Sequence, residues 1–262
     1  MKTADHIGNL RRDGQLLADA AQKAGVEAEV PDCPQWRVRD LVEHTGLVHR
    51  WATRFLVERL TEPVRPPSGP GLDGEELISW FRDGHGLLVE ALTAAPHDLN
   101  SWTFLPAPSP LAFWARRQAH ETAIHRVDAE AALRTSLTPV TADFASDGID
   151  ELLVGFHGRS KSKVRTDTPR TLRVRPTDAS VSWTVRLSGE PPRTERTEHP
   201  RGASETDAAQ RVDASAEAVD CELSGPAADL YFALWNRLPV TDLAVTGDPA
   251  LARLWLEQSA VT

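Results

Sequence analysis

The spacing of apolar residues in this 262-residue sequence changes at about Pro139. Before this point, apolar side chains recur every three to four residues, a spacing that predicts amphipathic helices. After it, two segments alternate apolar and polar residues, which is typical of half-buried strands. The change predicts an α+β chain of two domains, with a four-helix bundle over residues 1–140 and a small α+β domain over residues 141–262.

Proline-rich segments separate the predicted helices of the first domain. The first helix is predicted from Thr3 to Ala24, with Gly25 as its stop.

Residues 189–213 are polar and charged, and they are predicted to form hairpin loops with at most a poor strand. The other predicted helices are about Val38–Leu60, Glu75–Ala94, Leu111–Leu133, Ala142–Gly155, Ala227–Arg237 and Ala250–Gln258, and the predicted strands are Thr171–Arg175, Ser180–Leu187 and Ala218–Leu223.

The overall charge and the cysteine content exclude several functional classes. A net charge of -9 and the lack of a compact basic patch argue against binding to nucleic acid. No apolar run approaches the length of a membrane span, and the polar N-terminus lacks a signal core. Two distant cysteines, Cys33 and Cys221, do not make a disulfide framework and suit a reducing cytoplasm. We expect a cytoplasmic monomer or weak homodimer.

Glu121 and His125 are the residues that most strongly indicate a chemical role. Positions i and i+4 of a helix lie on one face, so this carboxylate and imidazole can hold one divalent cation. His44, on the second predicted helix, is the best candidate for a third ligand. Two histidines and one carboxylate with an open position would make a catalytic zinc site. The alternative is an exposed Glu/His stripe on a surface helix, which has the same spacing.

Neighbouring charged residues extend this stripe along the helix. Arg117 precedes Glu121 by four residues, and Asp128 follows His125 by three. Asp128 is either a hydrogen-bond acceptor for a ligand imidazole or the partner in a helix salt bridge. Asp40 lies one turn before His44 and either orients it or stabilises the helix start. The pattern alone leaves open whether the stripe faces the core.

Three segments resemble a known family. The segment Cys33-Pro-Gln-Trp-Arg-Val-Arg-Asp-Leu-Val-Glu-His44 resembles the signature of the mycothiol-dependent maleylpyruvate isomerase family, within the DinB-like group of metal-binding helix bundles. The motif from Glu121 to Asp128 resembles the second metal motif of this family. Residues 222–237, which end in Leu-Trp-Asn-Arg, are similar to its C-terminal domain. Gln35 departs from the family pattern, which has glycine there.

The resemblance implies a DinB-like bundle with a metal site, and a function. His44, Glu121 and His125 would hold a divalent metal, for which zinc is the best match. Mycothiol would be the thiol co-substrate, and Arg237 would act at the active site by holding a carboxylate of the substrate or the cofactor. We therefore expect a zinc-dependent isomerase or S-transferase in which a metal-bound thiolate adds to an electrophilic small molecule.

Two other functions stay open at this point. Water in the open metal position would give a hydrolase that uses zinc-bound hydroxide. A structural metal would instead leave a non-catalytic, ligand-binding module. Cys33 is interpreted as a small buried apolar residue rather than a nucleophile, and Trp36 as a packing anchor.

Overall fold

Four helices form the first of two structural units. The computed structural model describes residues 1–199 and 219–260, and the chain divides into Met1–Thr138 and Pro139–Thr262. This arrangement confirms the predicted four-helix N-terminal bundle. The helices are α1 (Thr3–Ala24), α2 (Val38–Val57), α3 (Gly74–Ala94) and α4 (Pro110–Ala132).

Side-chain caps and backbone conformation explain where these helices begin and end. The Asp73 carboxylate accepts a hydrogen bond from the backbone N–H of Gly74 at the start of α3. The Ser109 hydroxyl accepts one from the third residue of α4. The predicted end of α2 at Leu60 is wrong. The helix ends at Val57, because Arg59 adopts a left-handed φ of 52°, which a right-handed helix cannot continue.

Helix α4 is the central helix of the bundle and is buried on nearly all sides. It packs most extensively against α1 and also contacts α2. Trp114 and Val127 are fully buried, but so are Asp128 and, within 3%, Arg117. The charged stripe predicted from the sequence therefore faces the interior, where each charge needs a partner.

A buried ion network joins α4 to α1 and to the chain that follows α4. The fully buried Arg126 guanidinium donates to the Glu130 carboxylate (2.6 Å) and to the carbonyl of Thr138 (2.8 Å). Its Nε lies 3.7 Å from Oδ1 of Asp13 on α1, which is also fully buried. These contacts fix the rotation of α4, and they thereby help to place its other side chains.

The second unit is built on one five-stranded sheet. The strand order is β3-β2-β1-β4-β5, in which β1 and β4 are parallel and the other neighbours are antiparallel. Leu172 pairs with Cys221, and Val174 with Leu223, so that these side chains share the buried face. The strands are β1 (Arg170–Pro176), β2 (Val181–Leu187), β3 (Arg193–Glu198), β4 (Cys221–Gly225) and β5 (Ala244–Gly247).

Helices cover the buried face of this sheet, which confirms the predicted α+β class. Helix α6 packs against α5 and contacts β1 and β4, and α7 contacts β4 and β5. Trp183 on β2 is fully buried and donates its indole N–H to Asp150. The helices are α5 (Ala142–Asp150), which continues as a π-helical segment (Glu151–Phe156), α6 (Ala227–Leu234), a 3₁₀ turn (Val240–Asp242) and α7 (Pro249–Gln258).

The second unit departs from the sequence predictions in several places, and the helix predicted to run from Ala227 to Arg237 already ends at Leu234. The helix predicted to run to Gly155 changes to π-helical geometry at Glu151. Residues 193–198 form a regular strand, where the sequence predicted hairpin loops with at most a poor strand. The sequence did not predict β5, because its four residues are mostly exposed and lack alternation. Residues 200–213 of the predicted hairpin region and Ala218 lie outside the described residues.

Helices cross a membrane only when they are long enough and apolar enough. Within residues 1–199 and 219–260, none combines the length and the apolar character that a bilayer span requires.

Candidate metal centre

His44, Glu121 and His125 meet inside the bundle. Each offers one donor atom, and the three donor atoms lie within 4.8 Å of one another. Nε2 of His44 is 3.4 Å from Oε1 of Glu121, and Nε2 of His125 is 3.3 Å from the same oxygen. The structure therefore brings together the three residues that the sequence proposed as ligands.

Helix geometry explains how these side chains converge. Glu121 and His125 lie one turn apart on α4, so their side chains project from one face. His44 lies in the middle of α2, which packs against α4. The His44 side chain is 40% exposed, whereas those of Glu121 and His125 are 22% and 10% exposed. The site is therefore open on the side of His44 and closed on the side of His125.

The spacing of the donor atoms fits a tetrahedral cation. Donors that each lie about 2.0–2.2 Å from a zinc ion are separated by roughly 3.3–3.5 Å. The two distances to Oε1 of Glu121, 3.4 and 3.3 Å, fall in this range. Two imidazoles and one carboxylate are also the donor set of many catalytic zinc sites. These residues fit a divalent metal, and three protein donors leave a tetrahedral position for a further ligand.

The second oxygen of Glu121 has a different partner. Oε2 accepts a hydrogen bond from Nη2 of Arg117 at 2.9 Å, one turn earlier on α4. The Arg117 side chain is only 4% exposed. The sequence placed Arg117 on the charged stripe but gave no indication that it would bind Oε2 of Glu121.

Asp128 holds the other side of the His125 ring. Its Oδ2 lies 2.9 Å from Nδ1 of His125, and the carboxylate is fully buried. With Nε2 facing the site, Nδ1–H is the donor in this bond, which fixes both the tautomer and the ring orientation. Asp40 does not play this part. Its carboxylate accepts from the backbone N–H of Arg37 and stabilises the first turn of α2.

Trp36 packs against both histidines. Its ring centroid lies 4.9 Å from that of His44 and 5.9 Å from that of His125, on which it is stacked at 30°. The indole is held by the turn before α2, where the backbone N–H of Trp36 donates to the carbonyl of Cys33. The sequence predicted that Trp36 is a packing residue. It did not indicate that Trp36 packs on the two candidate histidine ligands.

The charges within the site reinforce one another. Burial would raise the pKa of Glu121, but its hydrogen bonds with His125 and His44 hold that pKa well below the usual range. Burial likewise opposes protonation of His125, yet Asp128 and Glu121 raise its pKa to about 9. Without a cation, the pair is thus a carboxylate and an imidazolium, and a bound cation would take the place of the imidazolium proton.

Arg237 and Cys33 belong to other segments of the chain than the helices that carry the three donors. Arg237 belongs to the second unit, just after α6, where its guanidinium donates to the carbonyl of Trp235 at 2.7 Å. Cys33 is a half-buried thiol in the turn before α2 and packs against the apolar core of the bundle. This placement fits its interpretation as a small apolar residue.

Comparisons with known proteins identify similar chains for both units. Residues 8–130 match the N-terminal domain of mycothiol maleylpyruvate isomerase, and residues 143–254 match the C-terminal domain of the same family. Among solved structures, the chain is similar to an H52A mutant of the mycothiol-dependent maleylpyruvate isomerase, at 11% identity and a TM-score of 0.60, over 94% of this chain and 93% of that one. This second likeness shows the fold alone. No curated protein matches the chain.

Proposed function

Because the chain belongs to the mycothiol maleylpyruvate isomerase family and carries both of its domains, we propose that it is a metal-dependent enzyme that uses a low-molecular-weight thiol. The thiol is mycothiol, and the second substrate is an electrophilic small molecule. The observation that carries this proposal is the convergence of donor atoms from His44, Glu121 and His125. A divalent cation held there, with zinc as the best match, would favour the thiolate form of a coordinated thiol.

The residues around the three donors prepare the site for this role. Asp128 fixes the ring of His125, and Trp36 restricts the movement of both imidazoles. Neither Cys33 nor Cys221 is required as a nucleophile, because the thiol comes from the co-substrate. For Arg237 we propose binding of a carboxylate on the substrate or on the thiol, for which its forked guanidinium is suited.

The reaction begins when the thiol releases its proton to solvent, from which the proton is recovered at the end of the reaction. The sulfur then donates an electron pair to an electrophilic carbon, such as the β-carbon of a double bond conjugated with a carbonyl, and the displaced π electrons move to the carbonyl oxygen. Rotation about the resulting single bond and expulsion of the thiolate give the isomerised double bond, with the thiol regenerated. Protonation at the α-carbon instead leaves a stable thioether, which is the transferase outcome.

We favour the transferase outcome over isomerisation of maleylpyruvate. Gln35 replaces the family's glycine beside Trp36, and Trp36 packs on both candidate ligands. The proline-rich loop from Pro63 to Gly71 follows α2, the helix that carries His44. Its Val64 carbonyl accepts the indole N–H of Trp51 on α2. These differences in sequence change which electrophile can approach the site. They leave the three donor atoms, and therefore their chemistry, unchanged.

The proposal is tested with zinc-loaded protein, mycothiol and two electrophiles. Maleylpyruvate reports isomerisation by its absorbance, and monochlorobimane reports thioether formation by fluorescence and by mass. We expect thiol-dependent turnover of at least one of them, and its loss in H44A and H125A together with the zinc. The exposed His97, in the loop after α3, provides the matched control H97A, which should keep both.

Two results would overturn the proposal. Turnover of an ester or amide panel without any thiol would indicate a hydrolase that activates water in the same site. Protein that contains a full equivalent of zinc but turns over neither electrophile with mycothiol would indicate a binding module.

A further inference from the structure

The two oxygens of Glu121 are committed to different partners. Oε1 faces both imidazoles, at 3.4 Å from His44 and 3.3 Å from His125. Oε2 accepts the Arg117 hydrogen bond at 2.9 Å. A carboxylate that binds a cation through both oxygens uses one lone pair of each oxygen. The hydrogen bond from Arg117 occupies a lone pair of Oε2 and holds this oxygen toward the guanidinium.

We propose that Arg117 is a positioning residue that keeps Glu121 a one-oxygen ligand and thereby preserves the open coordination position. This inference rests on the proposed metal centre. It goes beyond it because Arg117, which is not a ligand, would determine the coordination number of the metal. A second Glu121 oxygen on the cation would occupy the position that the thiol needs, and Arg117 prevents this.

The surroundings of Arg117 suit this role. Its side chain is 4% exposed, so the guanidinium is largely screened from water, which strengthens its hydrogen bond to Glu121, whose side chain is 22% exposed. Position i−4 on α4 also places the arginine one turn before the ligand, on the side of Glu121 away from His125. Arg117 therefore pulls Oε2 along the helix axis, away from the imidazole that Oε1 faces.

The bundle contains a matched pair for comparison. Arg54, in the last turn of α2, and Glu58, which caps the end of this helix, have the same residue types and the same four-residue spacing. Nε of Arg54 donates to Oε1 of Glu58 at 2.9 Å. Their side chains are exposed, at 40% and 46%. This pair therefore reproduces the local helix interaction without burial and without a candidate metal site.

The experiment uses the cobalt-substituted full-length protein, in which the intensity of the visible absorption bands reports coordination number. The wild type should show the intense bands of four-coordinate cobalt. In R117M the Glu121 carboxylate is released, so the bands should weaken as the coordination number rises, and the dissociation constant for mycothiol should increase by about 10-fold or more. R117K, which keeps a charged donor, should retain the wild-type spectrum, and so should R54M.

Each outcome bears on a definite claim. A folded R117M with the wild-type spectrum and the wild-type mycothiol affinity would overturn the inference. A wild type that binds no cobalt would overturn the metal centre itself, and the inference with it. A crystal structure of the zinc-loaded wild type supplies a readout that does not depend on the folding of a variant. It supports the inference if one Glu121 oxygen lies about 2.0–2.2 Å from zinc, and overturns it if both do.

Discussion

Asp128 accepts a hydrogen bond from Nδ1 of His125 at 2.9 Å, and its carboxylate is completely buried. A buried carboxylate behind a ligand imidazole increases the basicity of the ring and restricts its rotation. We expect D128N to weaken zinc binding by about 10- to 100-fold, measured by competition with a chromophoric chelator. D40N changes the exposed carboxylate at the start of α2 and should leave zinc affinity unchanged. Equal affinities in wild type and D128N would contradict this role.

Trp36 should control how quickly the metal leaves. Its ring packs on both histidines, at 4.9 Å from His44 and 5.9 Å from His125, so its removal lets both side chains move. W36A should release zinc several-fold faster to an excess of chelator in stopped-flow measurements. W36F keeps an aromatic surface and should release zinc at nearly the wild-type rate. Equal rates in W36A and wild type would show that the indole only packs.

The stability of the bundle depends on the buried guanidinium of Arg126. Removing it takes a buried cationic partner from both Asp13 and Glu130. Asp13 then keeps the hydrogen bond from Arg12, and Glu130 keeps those from Thr138. We expect R126M to destabilise the first unit by about 3–5 kcal/mol, from hydrogen exchange of the amides of α1 and α4. R82M removes an exposed ion pair with Asp19 and should cost under about 1 kcal/mol. Similar losses in the two variants would mean that burial adds nothing to the Arg126 network.

His157 should make the second unit sensitive to mild acid. Burial, only partly offset by a hydrogen bond involving Ser259, lowers its pKa to about 4 from an ordinary value of 6.5. Between these values the unfolded chain binds a proton that the folded chain does not. Stability is therefore fully present above pH 6.5 and falls as the pH decreases toward 4. At pH 5 the loss is roughly 2 kcal/mol relative to pH 7.

Hydrogen exchange of the β1 and β2 amides at the two pH values measures this effect, after correction for intrinsic exchange rates. In H157Q the difference between pH 7 and pH 5 should shrink by most of that amount. A difference of the same size in H157Q and wild type would assign the acid sensitivity to other groups.

Local sequence patterns predicted most of the helices, the strands β1 and β2, and part of β4. The bounds of α1 were predicted correctly, because its apolar spacing and Gly25 depend on neighbouring residues alone. The end of α2 depends on the conformation of Arg59, and β5 on its pairing with β4, which supplies hydrogen bonds that four exposed residues do not reveal. Elements that derive their stability from a distant partner leave a weak local signal.

The candidate site shows the same division. The i, i+4 spacing of Glu121 and His125 placed two donors on one face of a helix, and Asp128 followed from its spacing. The inward orientation of that face could not be read from the pattern, because α4 is surrounded by the bundle and has no clear apolar side. The two Glu121 oxygens have different partners, and Trp36 packs on His44. Both features depend on atomic positions, which the spacing of residues in the sequence does not specify.

The three candidate ligands differ in their access to solvent. The His44 side chain is 40% exposed, Glu121 22% and His125 10%. Asp128 also fixes the ring of His125, the least exposed of the three ligands. His44 is the most exposed, so we expect it to dissociate from a bound cation most readily. We expect metal exchange to follow this order, with His44 the last ligand to bind an arriving ion and the first to release a departing one. In a cell with several competing metals, the rate at which this single side chain opens would set how long an incorrect ion stays bound.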